Sequence, residues 1–539
     1  MRLPWPTRVN LKIVMYLALT LMVVQLLMGT SPVFAIGVFY FIIVTSVSFN
    51  LAGGMNTFSG SFIAFMALET IIISQVAKLF YGQAADTNLM TPLTTIAVYD
   101  AGISCVLFAA FITSKYKRKH PIFNADSDGN RLVGMSIASS IIGIVSLLLV
   151  GLYGFEGDLS VKKGDIFGYL NQFGGFVPLG VLLGTAFIIR KSNGTRSARW
   201  WTILPMIFLT LDGIALETKT GIFQPALMWL LVCAAYGYKL NKKQVIGVLS
   251  VAIFAAYIIF PVVQYMRGFT RTGDLINRGK LVFQYLADNS LLSIRENYIA
   301  TEQLKEEGSA DGYFYFGTDK GMLDRMSLIE MEDAIIYRTE VSVPRGAGPM
   351  VDGFLSMVPR VIWSDKAKWE AGSISMVNVM GREIGILAPT DETTYISFST
   401  FGSTFFMVGW AWSAALILAV LVPMFLIMDS FYGSVKTNMF ALFVVLGNMH
   451  GAPEFTLPAV YAALIHEIVL TWITIWFIRS MSPAITIFLG KNGLLNQEEA
   501  PGVVVAPAEG PIVAPRLVVP RGAGGAWPGA AMRPRPQVD

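Results

Sequence analysis

A guanidinium stays charged at every physiological pH and grips phosphate through paired donors, so clustered arginines are the first residues here that can do chemistry. Arg267, Arg271 and Arg278 fall in one short stretch, MRGFTRTGDLINRGK. As a group they suit an anionic ligand such as a lipid pyrophosphate. Any one of them alone reads equally as a solvated or acid-paired residue. Lys219 sits in TLDGIALETKTGIFQP beside Asp212 and Glu217. It is either part of a cationic site or an interfacial lysine neutralised by Glu217, and the Lys219-Thr220-Gly221 run lets the chain turn into the next segment. The stretch Val358 to Lys366 puts Arg360, Trp363 and Lys366 into one loop. Trp363 can stack on a sugar ring or anchor at a membrane interface, the commoner use. For a general base the candidates are His450 and Glu454 in GNMHGAPEFTLP, since a neutral imidazole or a carboxylate can take a hydroxyl proton. The plainer reading of His450 is a hydrogen-bonded interfacial residue. His466, beside Glu467, reads as a hydrogen-bonded residue inside a helix bundle, and His120 as cytosolic.

These residues have to be positioned by a membrane protein. The chain has 539 residues, 54% hydrophobic and only 14% charged, with a mean hydropathy of +0.58. A soluble domain carries about 25% charge, and disorder needs low hydrophobicity, so a soluble enzyme and a largely disordered chain are both excluded. Cys105 and Cys233 lie in apolar runs and read as small buried hydrophobes. No Cys/His metal spacing, P-loop or other nucleotide fingerprint occurs. The one Asp-x-Asp, Asp126-Ser127-Asp128, falls in a cytosolic loop, and the first outer loop, Met28 to Pro32, has no acidic pair. That argues against a metal-dependent transferase of the oligosaccharyltransferase type. No cofactor is expected.

Apolar runs near 12–29, 33–51, 58–79, 96–113, 133–153, 172–190, 201–214, 223–238, 244–264, 403–428, 437–449 and 457–478 predict an all-α polytopic membrane protein of about twelve spans. Basic residues mark every even-numbered exit: Arg2, Arg8 and Lys12 precede the first run, and Lys115, Lys117, Arg118 and Lys119 follow the fourth. Arg190, Lys191, Arg196 and Arg199 follow the sixth, Lys239, Lys242 and Lys243 the eighth, Lys436 the tenth and Arg479 the twelfth. Both termini are therefore expected in the cytosol. The net charge of +4 comes from these loops and implies no nucleic acid. A rival for residues 1–35 is a signal peptide, because Val33-Phe34-Ala35 loosely resembles a cleavage site. The expected organisation is a transmembrane bundle over 1–264, a long periplasmic loop over 265–402, transmembrane helices over 403–480, and a disordered cytosolic tail over 481–539. Within the loop, 281–307 has helical periodicity, with Leu281, Tyr285, Leu292 and Ile299 as apolar positions. Residues 340–400 read as irregular, punctuated by Pro344, Gly346, Gly348, Pro359, Gly372 and Pro389.

Together these features resemble the oligosaccharide repeat-unit polymerases, relatives of the O-antigen polymerases and ligases. The layout of about a dozen spans with one late outer loop is similar. So is the Lys219-Thr220-Gly221 turn, and so is Pro359-Arg360-Val361-Ile362-Trp363-Ser364-Asp365-Lys366, followed by a Ser/Thr-rich stretch and Phe401-Gly402. Ala367 stands where the family often has Pro, Lys219 where it often has Arg, and Ser397 and Ser399 where it often has an acid before Phe-Gly. The resemblance implies glycosyl transfer without metal at the outer face of a bacterial inner membrane. A glycan on a polyprenyl pyrophosphate would pass to a hydroxyl of an incoming lipid-linked repeat unit. Arginines would stabilise the leaving group, and His450 or Glu454 would take the proton. The implied partners are the polyprenyl-pyrophosphate-linked oligosaccharide and the lipid bilayer, with flippase and chain-length regulator proteins as neighbours.

Three other readings stay open. One is a ligase that moves the glycan to a different acceptor. The second is a transporter, because residues 49–61, FNLAGGMNTFSGS, resemble the Gly/Ser-rich helix entries of permeases. The third is a non-catalytic component of a glycan export complex.

Overall fold

The computed structural model describes residues 2–123, 129–153, 155–156, 160–161, 173–215, 219–259, 287–308, 327–356, 372–387, 396–454 and 456–460, with isolated positions between and beyond them. The described chain is helical apart from a two-residue antiparallel pair, Phe155–Glu156 with Ser160–Val161, and one isolated bridge between Arg2 and Lys239.

The helices follow the apolar runs. They are α1 (Leu11–Leu27), α2 (Pro32–Ala52), α3 (Phe58–Phe80, with a π-turn at Leu68–Ile72), α4 (Pro92–Tyr116), α5 (Gly129–Tyr153), α6 (Phe176–Lys191), α7 (Trp200–Ala215), α8 (Lys219–Ala235) and α9 (Lys242–Phe254, continuing as a π-turn). Next come α10 (Leu291–Gly308), α11 (Ile329–Glu340), α12 (Gly348–Ser356), α13 (Gly372–Glu383), α14 (Thr400–Tyr432) and α15 (Met439–Glu454). Among the described residues, six helices are long and apolar enough to cross a membrane: α2, α3, α4, α5, the Phe173–Lys191 helix that contains α6, and α14. Shorter apolar helices occupy four more of the expected runs. The protein is thus an all-α membrane protein. The run at 457–478 begins as helix at 457–460, and the rest of it lies outside the described residues.

Local sequence explains the boundaries. Asn10 caps α1 by accepting from the Lys12 N–H, and Thr57 caps α3 by accepting from Gly60. Pro32 and Pro92 open α2 and α4 where a missing N–H costs nothing. Gly53 ends α2 with a positive φ of 106°. Bundle contacts use small residues to bring backbones close. A Cβ on Gly102 of α4 would lie 2.5 Å from the Phe401 ring, and one on Gly180 of α6 would lie 2.3 Å from Ser140 Oγ of α5.

The two ends of the bundle differ in charge. At one end Trp5 donates to Asn56 Oδ1, Val435 N to Asn56 O, Ile122 N to Ser430 O, Lys239 N to Gly194 O and Arg190 to Lys436 O. These contacts gather the loops that carry Arg2, Arg8, Lys117, Arg118, Arg190, Lys239 and Lys436. The opposite end gathers Asp86, Glu330, Glu332, Asp333 and Glu340. There Ser31 N donates to Asp86, Thr94 Oγ1 to Glu340 and Tyr315 N to Glu330.

Two sequence expectations shift. Of residues 281–307, the continuous helix starts at Leu291, after a bend at Asn289. Among its described side chains Ile294 is buried, packed in one cluster with Val262, while Leu281, Leu292 and Ile299 are exposed. The apolar periodicity therefore marks a wider surface than the one the helix buries. Among the described residues of 340–400 are two helices, α12 and α13. Gly348 and Gly372, read as loop punctuation, stand at their first positions, and Pro349 fits the first turn of α12 because Pro suits the start of a helix.

Candidate functional site

The sequence candidates divide sharply. Arg267, Arg271, Arg278, Arg360, Trp363 and Lys366 lie outside the described residues. Lys219 opens α8 and His450 lies in α15, both with side chains outside the description. The Lys-Thr-Gly run is helical from Lys219, so it is the first turn of α8 rather than a loop. Its glycine serves close packing: a Cβ on Gly213 of α7 would lie 2.4 Å from the carbonyl carbon of Gly221. Glu454 ends α15 and is half-buried. Just beyond it, Leu457 N donates to Ser403 Oγ at 3.2 Å. The segment just after Glu454 therefore meets the first turn of α14.

Helix α14 explains why that junction matters. It is broken at Gly409, whose φ of 61° and ψ of −162° are non-helical. Residues 400–407 are buried, and Trp410 and Trp412 beyond the break are exposed. Residues 410–432 are long enough to cross a bilayer, about 34 Å at 1.5 Å per residue. The buried first half instead points its polar N-terminus, Ser399-Thr400-Phe401-Gly402-Ser403-Thr404, at α11.

Two consecutive acids on α11 meet two helix N-termini. Asp333 accepts from the backbone N–H groups of Met90 and Thr91 and from Thr95 Oγ1 at 2.7 Å, so it caps α4. Glu332, fully buried, accepts from the Ser399 N–H at the start of α14. Its Oε2 lies over Gly402, where a Cβ would sit 1.8 Å from it; only glycine fits. Burial pushes the Glu332 carboxyl up to about 7, opposed by hydrogen bonds from Ser399 and from the Gly402 backbone. The stretch before Phe401-Gly402 carries serines, and an acid reaches it from a different part of the chain. Sequence spacing had no means of showing that pairing, across 67 residues.

The same end holds a buried amine. Lys78 of α3 is 0% exposed, donates to Thr87 O and Thr87 Oγ1, and lies 4.2 Å from the Tyr315 ring centre. Tyr315 donates to Ala85 O and accepts from Gln75. Burial pushes its phenol well above the usual range. The hydrogen bonds of this cluster join α3, the 81–91 loop and residues 315–316, which makes the cluster a structural joint.

A different feature is open to ligands. Arg338 of α11, Arg345, and Val379, Arg382 and Glu383 of α13 line a concave site of about 350 Å³. Glu383 pairs with Arg338 Nε at 3.1 Å and with Arg345 Nη1 at 2.9 Å. Three guanidiniums and one carboxylate thus line the site. The paired arginine side chains are 45% and 48% exposed, so the ion pairs are solvent-screened and cheap to exchange for another anion. The site is fixed to α14: Arg345 N donates to Phe406 O at 3.1 Å, and Gly346 N to Met407 O at 2.7 Å. No group of three or more His, Cys, Asp or Glu side chains suited to a metal occurs among the described residues. The sequence signal for these arginines was weak, because they are spread over 45 residues of a segment without periodicity.

Compared with known proteins, the chain matches no family model, no curated protein and no solved structure.

Proposed function

We propose that this membrane protein is a metal-independent glycosyltransferase that moves glycan from a polyprenyl pyrophosphate onto a sugar hydroxyl, as a repeat-unit polymerase does. The observation that carries the reading is the arginine-lined concavity of Arg338, Arg345 and Arg382, fixed beside the interfacial tryptophans of α14. A pyrophosphate leaving group needs preorganised positive charge where negative charge develops, and a site at the bilayer edge meets a lipid-borne substrate. In this reading the phosphate displaces Glu383 from Arg338 and Arg345, and the glycan lies towards α13. The acceptor's proton goes to a carboxylate or imidazole from the Glu454 end of α15. The resemblance of Pro359 to Lys366 and of Phe401-Gly402 to the polymerase family points the same way. The basic end of the bundle faces the cytosol and the arginine site faces the periplasm, as positive-inside topology requires.

The transporter reading loses support in two places. Residues 49–61 are spent on a tight turn: Gly53 and Gly54 have positive φ, and Gly54 packs on the Thr7 backbone. The half-helix N-terminus of α14, the kind of end that binds anionic cargo in transporters, is already taken by Glu332.

The test is a product assay. Arg338→Ala, Arg345→Ala and Arg382→Ala are expressed at matched membrane levels, and lipid-linked glycans are resolved on a gel. The expected result is a ladder in the wild type and a stall at one repeat unit in the variants, with turnover down by at least 10²-fold. Long lipid-linked chains that fail to reach a final acceptor would indicate a ligase. An unchanged ladder in all three variants would remove the site.

A further inference from the structure

The turn between α11 and α12 breaks the rule that extramembrane loops are polar. Residues 341–348, Val-Ser-Val-Pro-Arg-Gly-Ala-Gly, are all exposed. Val341 is 58% and Val343 88% exposed, with Val351 at 56% one step further on. Arg345 is the turn's single charge. One exposed valine needs no explanation; an apolar turn tied to a membrane-crossing helix does.

The tie is specific. The Arg345 and Gly346 N–H groups donate to Phe406 O and Met407 O, the carbonyls that the break at Gly409 leaves without helical donors. Pro344 packs on that break, where a Cβ on Gly409 would lie 3.1 Å from its ring. The next residues of α14 are Trp410 and Trp412, 52% and 68% exposed. Counting about 20 residues for a bilayer's hydrocarbon core back from Ser430, at the basic end, also arrives at Trp410. Aromatic residues of this kind collect at membrane interfaces. The turn is thus held by backbone hydrogen bonds at the level where the bilayer ends.

We propose that the Val341–Gly348 turn inserts into the lipid monolayer at the acidic end of the bundle and anchors α11 and α13 to the membrane surface. Val341, Val343 and Pro344 enter the acyl boundary, Arg345 lies among the head groups, and the surface is continuous with the lipid-facing side of α14. The segment between α10 and α14 is then partly a membrane-surface structure rather than wholly a water-exposed domain. The anchoring rests on geometry alone. Its consequence, that a lipid-borne phosphate reaches Arg338 and Arg345 by sideways diffusion within the monolayer, rests on the function proposed above.

The test uses the full-length protein in phosphatidylcholine–phosphatidylglycerol vesicles. Val343→Cys, at an exposed position where the change leaves packing intact, carries an environment-sensitive nitrobenzoxadiazole label. Lys119→Cys, exposed at the basic end, is the water-exposed reference, and unlabelled background is set by wild type, whose Cys105 and Cys233 are buried. The label at 343 is expected to emit further to the blue than at 119, to be quenched by a lipid with a nitroxide near the head group, and to be several-fold less sensitive to iodide. Iodide quenching equal at the two positions, with no quenching by the nitroxide lipid, would overturn the proposal. The readout is independent of catalysis, so an inactive protein with a buried label would count against the transferase reading while leaving the anchor in place.

Discussion

Glu332 is a carboxyl group inserted where its charge is costly and its geometry is fixed. Burial raises it to about 7, above the 4.5 of a free glutamate. The folded state therefore keeps a proton that the unfolded chain releases between these values, and stability falls as pH rises from about 4.5 to about 7. The contribution is full below the lower value and gone above the upper. Thermal unfolding of the purified protein between pH 4.5 and 8 should show Tm falling across this window, by an amount on the order of a few kcal/mol in free energy. In Glu332→Gln the slope over the same window should flatten, since a carboxamide does not titrate there. Asp333, its neighbour, works differently: it accepts from the backbone of Met90 and Thr91, whose N–H groups α4 leaves without helical partners, so its value lies in capping. Arg338 and Arg345 contribute little to stability through Glu383, because half-exposed ion pairs are worth under about 1 kcal/mol. That is the property a ligand site needs, since what holds the arginines at rest yields easily to a stronger anion.

At the level of elements, α14 is the part on which the site depends. Its break at Gly409 lets one continuous stretch of sequence serve two purposes: a buried half-helix that meets Glu332, and a lipid-facing span that starts with two tryptophans. The break requires a residue that tolerates φ of 61° with ψ of −162°, which glycine does at little cost and other residues do at about 1 to 3 kcal/mol. Gly409→Ala should lower Tm, measured by thermal unfolding in detergent, by an amount matching that cost. A variant with Tm unchanged would show that this positive-φ conformation is not kept in solution. Helix α11 is equally placed by its neighbours. It is short and carries Glu330 and Glu332 in its first turn with Asp333 just after, and it ends at Glu340, which accepts from Thr94. Each acid engages a different segment, so α11 joins α4, α14 and residues 315–316 into one end of the molecule.

For the whole molecule, the separation of charge between its ends predicts orientation. The basic loops meet at one end and the acidic helix α11 sits at the other, so Lys119 should react with a membrane-impermeant maleimide, after Lys119→Cys, only when the membrane is opened. Ser290→Cys should not share that protection, because Ser290 is exposed and lies on the side expected to face the periplasm. Labelling of Lys119→Cys in intact cells would reverse the topology.

Composition and run length alone were enough to identify an all-α membrane protein, because a stretch of about 20 apolar residues has one stable outcome in a bilayer: a helix that satisfies its own backbone. Apolar runs and basic clusters likewise marked where most of the described membrane helices lie and which loops share an end, since both are local properties. The candidate site was much less legible. Phe401-Gly402 stood out as a feature, but its acidic partner comes from Glu332, and no spacing along the chain links 332 to 402. Lys78 passed unnoticed inside an apolar run. The arginine concavity unites positions 338, 345 and 382 through the packing of α11 and α13 and the break in α14, and charge density in sequence pointed elsewhere, to 267–278 and 360–366. Local rules act through neighbours one or two turns away, and tertiary structure decides which distant carboxylate, glycine or guanidinium arrives at the same place.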